Sequence, residues 1–315
     1  MAERSLTYAC EDYDLQQAIV DGSVRPDGFG IRAEIVESNE RHDRMAREGA
    51  FDLAEFSMSA YLVARANGLP LVGLPVFPRR MFVHRFMFVN AAAGIETPAQ
   101  LAGRRVGIGR HHNTLALVAR GTLHDEHGLD LQAVQWVTAR PETIAGGPSS
   151  GFRFEAAPPG RSLEDLLLAG EIDAMMIPHT IGAWDRGDPR VRRLFPDFKA
   201  AERASYERTG IFPIMHLVVA RADVLRAEPG LAAALLAAFR EAQERAFARL
   251  GEPAMVSLAW ARALLEEERA FFGGSPWPIG VQANARTLEA MARWSHLLGL
   301  TPRQLALEEL FPGFE

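Results

Sequence analysis

Short apolar runs alternate with helix-patterned stretches along the first two thirds of the chain, and this alternation restricts the fold more than any other feature. Leu6 to Cys10 reads as a strand, and Leu15 to Asp21 as a helix. Gly30 to Val36 alternates like a half-buried strand, and Asn39 to Glu48 is a charged helix ended by Gly49. Phe51 to Phe56 is again strand-like. Ser57-Met58-Ser59 then opens a helix running through Ala66, and strands follow at Leu71 to Phe77 and Phe86 to Val89. Such βα repetition calls for a mostly parallel sheet covered by helices, an α/β fold.

A second βα series begins near Asn90. Thr97-Pro98 starts a short capped helix, Gly103 to Ile108 is a strand, and Asn113 to His124 a helix. Pro141 to Gly160 is rich in Pro, Gly and Ser and reads as a long irregular connection. Ser162 caps a helix, Glu171 to Ile177 and His216 to Ala220 are strands, and only helices follow. The expected organisation is a discontinuous first lobe of residues 1–88 and 217–315, a second lobe of 89–216, and a ligand cleft between them. Ligands of such sheets sit at the carboxyl ends of strands, near helix N-termini.

Composition prunes the chemistry. The chain has 315 residues, a net charge of −6 and no basic stripe, which argues against nucleic acid as a partner. No apolar run is long enough to span a bilayer, so no membrane role is expected. Met1 to Tyr8 lacks a basic region, an apolar segment and a cleavage site, so a cytoplasmic location is expected. The single cysteine, Cys10, excludes an internal disulfide and a thiolate metal cluster. The single lysine, Lys199, lies in what reads as a surface turn, which argues against pyridoxal phosphate and against a nucleotide-binding P-loop. No cofactor is called for with certainty.

The polar stretches that follow strands hold the candidate functional residues. Ser57 and Ser59 stand where hydroxyls and free N–H groups can hold a carboxylate, or where Ser57 is an ordinary helix cap. Arg110-His111-His112-Asn113-Thr114 occupies the corresponding place in the second series; His111, His112, Asn113 and Thr114 are candidates to bind an anion, a metal or an aromatic ligand, or are solvated surface. Arg79 and Arg80 follow a buried strand and suit bidentate carboxylate recognition, with His84 shortly after. Thr209 to His216 is apolar and ends in a second histidine at the second crossing between lobes.

The same stretches carry a resemblance. Phe51-Asp52-Leu53-Ala54-Glu55-Phe56-Ser57, Pro75 to His84, Leu194-Phe195-Pro196-Asp197, Gly210 to His216, Trp277-Pro278-Ile279-Gly280 and Glu308 to Phe311 resemble the 4,5-dihydroxyphthalate decarboxylase family. The resemblance covers nearly the whole chain and implies a two-lobed type II periplasmic-binding-protein-like fold used by a cytoplasmic enzyme. It departs from the family pattern at His179, where an arginine is usual, at Ile279, where a tyrosine is usual, at Leu15-Gln16-Gln17, and in the loop at Arg110-His111-His112. These departures point to a related aromatic acid as substrate.

The implied reaction is non-oxidative decarboxylation of a hydroxylated, phthalate-like acid, with a small aromatic carboxylate as partner. His84 and His216 are the expected proton-transfer residues. Ser57, Ser59, Arg79 and Arg80 are the expected carboxylate anchor, with His179 also near substrate. Phe212 and Trp277 are candidate walls for the ring, and Asp12 and Glu55 candidate supports for a histidine. A divalent metal is a variant of this scheme, with His84, His216 and His179 as its ligands. A homodimer is the base-rate expectation. The competing reading is a solute-binding receptor for an aromatic or dicarboxylic acid that performs no chemistry.

Overall fold

The computed structural model describes residues 4–144 and 151–314. Along the chain, β1 (Arg4–Cys10), α1 (Gln17–Val20), β2 (Phe29–Ile35), α2 (Ser38–Glu48), β3 (Leu53–Ser57), α3 (Met58–Ala66) and β4 (Leu71–Arg80) follow the sequence pattern closely. Gly49 ends α2 in the left-handed region at φ 57°, which a glycine adopts without a Cβ clash. Then come β5 (Met87–Asn90), β6 (Arg105–Ile108), α4 (Thr114–His127), β7 (Gln135–Thr138), β8 (Arg153–Ala156), α5 (Leu163–Leu168), β9 (Ala174–Met176), α6 (Gly182–Asp185), β10 (Val191–Arg193) and α7 (Phe198–Thr209). The chain closes with β11 (Ile214–Arg221), α8 (Ala222–Ala227), α9 (Leu231–Gly251), α10 (Ala261–Phe272), α11 (Ala285–Leu297) and α12 (Leu307–Leu310). Among the described residues no helix is long and apolar enough to cross a membrane.

The chain divides into two compact units. The first comprises Met1–Arg80, His216–Ala285 and Ala306–Glu315. Its five-stranded sheet has the order β2-β1-β3-β11-β4, with β1 parallel to β2 and β3, and β11 antiparallel to β3. Leu6, Tyr8, Leu53, Leu74 and Val218 pack with Leu231, Leu235 and Phe239 of α9 in its core. Each such side chain contributes ~1.5–3 kcal/mol by leaving water. β3 is buried at all five positions, so its one acid, Glu55, lies in the interior.

The second unit comprises Met81–Met215 and Arg286–Leu305. Its six-stranded sheet has the order β10-β5-β9-β6-β7-β8, with β6 to β8 parallel and β5 antiparallel to β9 and β10. Two sequence expectations need correction here. The stretch from Pro141 to Gly160 contains a strand, β8, paired in parallel register with β7; residues 145–150 of that stretch lie outside the described residues. Lys199 sits in the first turn of α7, not in a surface turn, because Asp197 caps that helix by accepting from Ala200 N at 3.0 Å.

The C-terminal helices are also divided differently. Residues 286–305 belong with the second unit, although the sequence pattern assigns all of 217–315 to the first. The reason is local packing. The Trp294 indole lies against Gly121 of α4, where a Cβ would overlap the ring, and its Nε1 donates to Asp125 Oδ2 at 2.8 Å. Arg293 pairs with the same carboxylate, which holds α11 on α4.

Candidate active site

Glu55 is fully buried on β3, and a buried carboxylate must be compensated. Strand alternation puts Glu55 and Ser57 on one face, and His216 of β11 is the register partner of Ser57. The Glu55 carboxylate is therefore beside the His216 imidazole, and Oε1 is hydrogen-bonded to Nδ1. Glu55 Oε1 also faces Arg41 Nη2 at 3.4 Å, while Oε2 accepts from the Glu11 N–H at 3.1 Å and from Gln16 Nε2 at 3.5 Å.

Burial pushes the Glu55 carboxyl upward, but His216, Arg41 and the Glu11 N–H outweigh it and hold the pKa at about 2. Burial lowers the His216 pKa, and Glu55 opposes this without overcoming it. The resting pair is thus a carboxylate and a neutral imidazole. An ionised carboxylate only accepts, so Nδ1 carries the ring proton and Nε2 is the atom left to exchange protons.

A second carboxylate continues the cluster. Glu11 accepts from the hydroxyls of Ser38 and Tyr13 and lies 3.8 Å from Arg41 and 3.9 Å from Arg79. Arg79 also donates to Tyr13 Oη at 3.3 Å and keeps a quarter of its side chain exposed. Its neighbour differs sharply. Arg80 is buried; it donates to the Pro276 carbonyl at 2.6 Å and to Asn284 Oδ1, and Asn284 in turn holds the carbonyls of Pro278 and Gly280. Arg80 clamps the Trp277-Pro278-Ile279-Gly280 turn, so its assignment as a substrate anchor is corrected to a structural one.

The remaining candidates of this unit are placed as follows. Ser57 caps α3, accepting from Ala60 N at 3.3 Å, and Ser59 is fully buried within that helix. Trp277 is half-buried, and its carbonyl accepts from Gln243 at 2.8 Å. Asp12 is exposed, and the carboxylate bonded to His216 is Glu55.

In the second unit, His84 is 2% exposed and packs edge-on against Phe195, with ring centroids 4.9 Å apart. Burial lowers its pKa to about 4, so it is neutral. The space beside it, lined by Thr122, Glu126, Ser205 and Trp294 among others, measures about 10 Å³, room for one water and not for an aromatic ring. That space does not admit an aromatic ring, and His216, beside the Glu55 carboxylate, is the histidine on which the functional reading is built.

The loop before α4 is locked by the segment that follows β7. His111 N and His112 N donate to Glu142 at 2.7 and 3.1 Å, Thr143 N donates to His112 Nε2 at 2.9 Å, and Arg110 donates to Thr143 Oγ1. His111 Nδ1 meets Arg120 at 2.8 Å, and its ring packs on Phe154 at 4.3 Å. Burial and Arg120 push its pKa down to about 2. Asn113 caps α4 by accepting from Ala116 N, and Thr114 is buried in its first turn. Phe212 is half-buried against Phe82 at 4.9 Å, and His179 is exposed after β9. Among the described residues no three His, Cys, Asp or Glu side chains gather as a metal-binding group.

Comparison with known proteins fits this geometry into a family. A protein of Comamonas testosteroni named 4,5-dihydroxyphthalate decarboxylase is 33% identical over 99% of this chain and 97% of its own length. The chain belongs to the 4,5-dihydroxyphthalate decarboxylase family. A family member from Pseudomonas putida, of the same name, is 32% identical over 64% of this chain and 81% of its own length. Residues 28–146 match the family model described as NMT1/THI5 like.

Solved structures define the fold. The periplasmic aliphatic sulphonate binding protein SsuA from Escherichia coli covers all of this chain with a TM-score of 0.58 at 16% identity, matching 94% of its own length. The desulfurization enzyme DSZB covers 98% with a TM-score of 0.55, also at 16% identity and over 96% of its length. The two sheets and their helices are those of the two-lobed type II periplasmic-binding-protein-like fold.

Sequence reasoning missed Arg41, Glu11 and Tyr13. Arg41 sits in a helix that reads as charged and solvated. Its one signal is position, since it falls on the stripe of α2 that includes Met45 and faces the sheet.

Proposed function

We propose that this chain is a non-oxidative decarboxylase of a hydroxylated aromatic dicarboxylate of the 4,5-dihydroxyphthalate type. The observation that carries the proposal is the Glu55–His216 pair, held across the neighbouring strands β3 and β11 in a member of this family. Losing CO2 directly from an arene leaves an unstable aryl anion. A hydroxyl para to the departing carboxylate offers a way round it. The hydroxyl gives up its proton, the carboxylate-bearing carbon gains one, and the resulting dienone loses CO2 as the electron pair of the broken C–C bond restores aromaticity.

His216 Nε2 takes up the proton the hydroxyl gives and delivers it to the ring carbon, with Glu55 stabilising the imidazolium in between, and the phenolate left when CO2 departs is reprotonated from water. Arg79, a quarter exposed at the edge of the cluster, holds a carboxylate of the substrate. A divalent ion chelating phenolate and carboxylate belongs to the same scheme as a variant that the assay decides.

The test is CO2 release from hydroxylated phthalates and benzoates, with chelator-treated and metal-supplemented protein side by side. Release from a phthalate supports the reading, and Arg79→Gln is then expected to raise KM about 10-fold or more with a smaller loss in kcat. The likeness to sulphonate-binding proteins favours one rival, a receptor without chemistry. Saturable binding of a phthalate with no CO2 from any acid, with or without metal, selects that rival.

A further inference from the structure

We propose that Arg41 is a positioning residue: its fixed positive charge balances the buried Glu55–His216 pair and keeps Nε2 of His216 unprotonated and able to accept a proton. The geometry is unusually complete for an arginine with no exposed side-chain surface. Nε donates to the Glu55 carbonyl at 2.8 Å, Nη1 to the Val36 carbonyl, and Nη2 to Ser38 Oγ at 3.3 Å. The same guanidinium lies between two carboxylates, Glu55 at 3.4 Å and Glu11 at 3.8 Å. A guanidinium does not give up its proton in a protein, so the charge is permanent.

The charge count makes the role specific. Arg41 and Arg79 offset Glu11 and Glu55, so the cluster is neutral when His216 is neutral. The Cys10 thiol and Tyr13 phenol, which interact with Glu55, leave that balance unchanged. The Cys10 thiol on β1 is pushed by burial up to about 12, and the Tyr13 phenol is raised by burial as well, so both stay protonated. His42 of α2 stands edge-on to His216, with centroids 5.0 Å apart, as a ring contact. Without Arg41, one uncompensated negative charge is left in the interior, and the pair takes up one proton to neutralise it. That proton ends either on Nε2 beside a carboxylate, as imidazolium, or on Glu55 with the ring turned to its Nε2–H tautomer. In both cases Nε2 is blocked.

The decisive experiment reads the ring directly. Nitrogen-15 NMR of histidine-labelled protein at neutral pH, with the His216 signals assigned through His216→Asn, is expected to show Nε2 unprotonated in the wild type. In Arg41→Met Nε2 is expected to be protonated, and in Arg41→Lys, which keeps the charge, largely unprotonated. A wild-type ring with a protonated Nε2 overturns the proposal without any variant, which covers the case in which Arg41→Met fails to fold. A folded Arg41→Met with the wild-type ring state overturns it too. The kinetic arm rests on the decarboxylase reading. Arg41→Met is expected to lose roughly 100-fold in kcat with KM within about twofold, to regain activity as pH rises, and to be partly rescued in Arg41→Lys. A wild type that releases no CO2 removes that reading, while the ring state seen by NMR still decides the role of Arg41.

Discussion

Each unit buries histidines, one on a strand of the first and two in a strand-to-helix loop of the second, and their ring nitrogens are held differently. In the first unit a carboxylate meets Nδ1 of His216 and leaves Nε2 open. In the second, His111 faces the Arg120 guanidinium, while His112 Nε2 accepts the Thr143 N–H and also lies 3.1 Å from Glu142 Oε2, so the nitrogen a proton shuttle would need is already taken. An imidazole beside a carboxylate can gain a proton at low cost. One beside a buried guanidinium is held neutral, and one that binds backbone is spent on structure. Which ring nitrogen the partners occupy, and not the presence of a histidine, separates a chemical group from a structural one.

The largest expected effect tests that distinction head on. His216→Asn removes the proposed proton-transfer atom and is expected to cut kcat for a hydroxyphthalate by roughly 100-fold or more. His112→Asn is expected to leave kcat within a few-fold and to cost ~1–3 kcal/mol of stability, through the unpaired Thr143 N–H. Steady-state kinetics and denaturant melts on both variants separate the two roles. A loss of turnover in His112→Asn equal to that in His216→Asn would break the comparison and make the loop before α4 a catalytic element.

The sequence carries the second-unit loop and the first-unit pair with equal force, which is why both stand among the candidates. Helix and strand positions are legible because hydrophobic periodicity and caps are local: Gly49 closing α2 and Ser57 opening α3 appear as the pattern requires. Arg79 and Arg80 show where legibility ends. Adjacent residues on a strand point to opposite faces, so one arginine reaches the cluster and the other reaches Asn284, 204 residues on. Only tertiary structure decides which is which. Arg41 lies further beyond reach, because its meaning comes entirely from the sheet beneath it. The docking of residues 286–305 on the second unit depends in the same way on one glycine, Gly121, that leaves room for an indole.

Acid sharpens the comparison next. Burial lowers His84 to about 4 and His111 to about 2 in the folded second unit, against an ordinary value of 6.5. Between pH 6.5 and 4 the unfolded chain therefore binds protons that the folded unit refuses, and stability falls as pH falls. Each of these histidines contributes ~1.4 kcal/mol per pH unit over that window. In the first unit His216 acts with the same sign, while Glu55, held at about 2, withdraws its contribution only as pH falls below its ordinary 4.5. Hydrogen exchange followed by mass spectrometry, read separately for each unit, is expected to show protection in the second declining more steeply from pH 6.5 to 4.5. Equal slopes in the two units would mean that the histidines of the second are better solvated than their burial indicates.

The smallest effect concerns the carboxylate of the second unit. Glu142 receives two backbone N–H groups, from His111 and His112, and so closes the loop before α4 with the chain's own side chain. Glu142→Gln keeps one acceptor oxygen and turns an amide N–H₂ toward the other donor. About 1 kcal/mol of stability is expected to go, less than for a fully buried carboxylate, because Glu142 keeps 31% of its side chain exposed. Faster amide exchange confined to residues 110–114, with the His216 ring state unchanged, would fix Glu142 as a local brace. Higher affinity for a phthalate in Glu142→Gln would instead mean that Glu142 fills a place the substrate's carboxylate competes for.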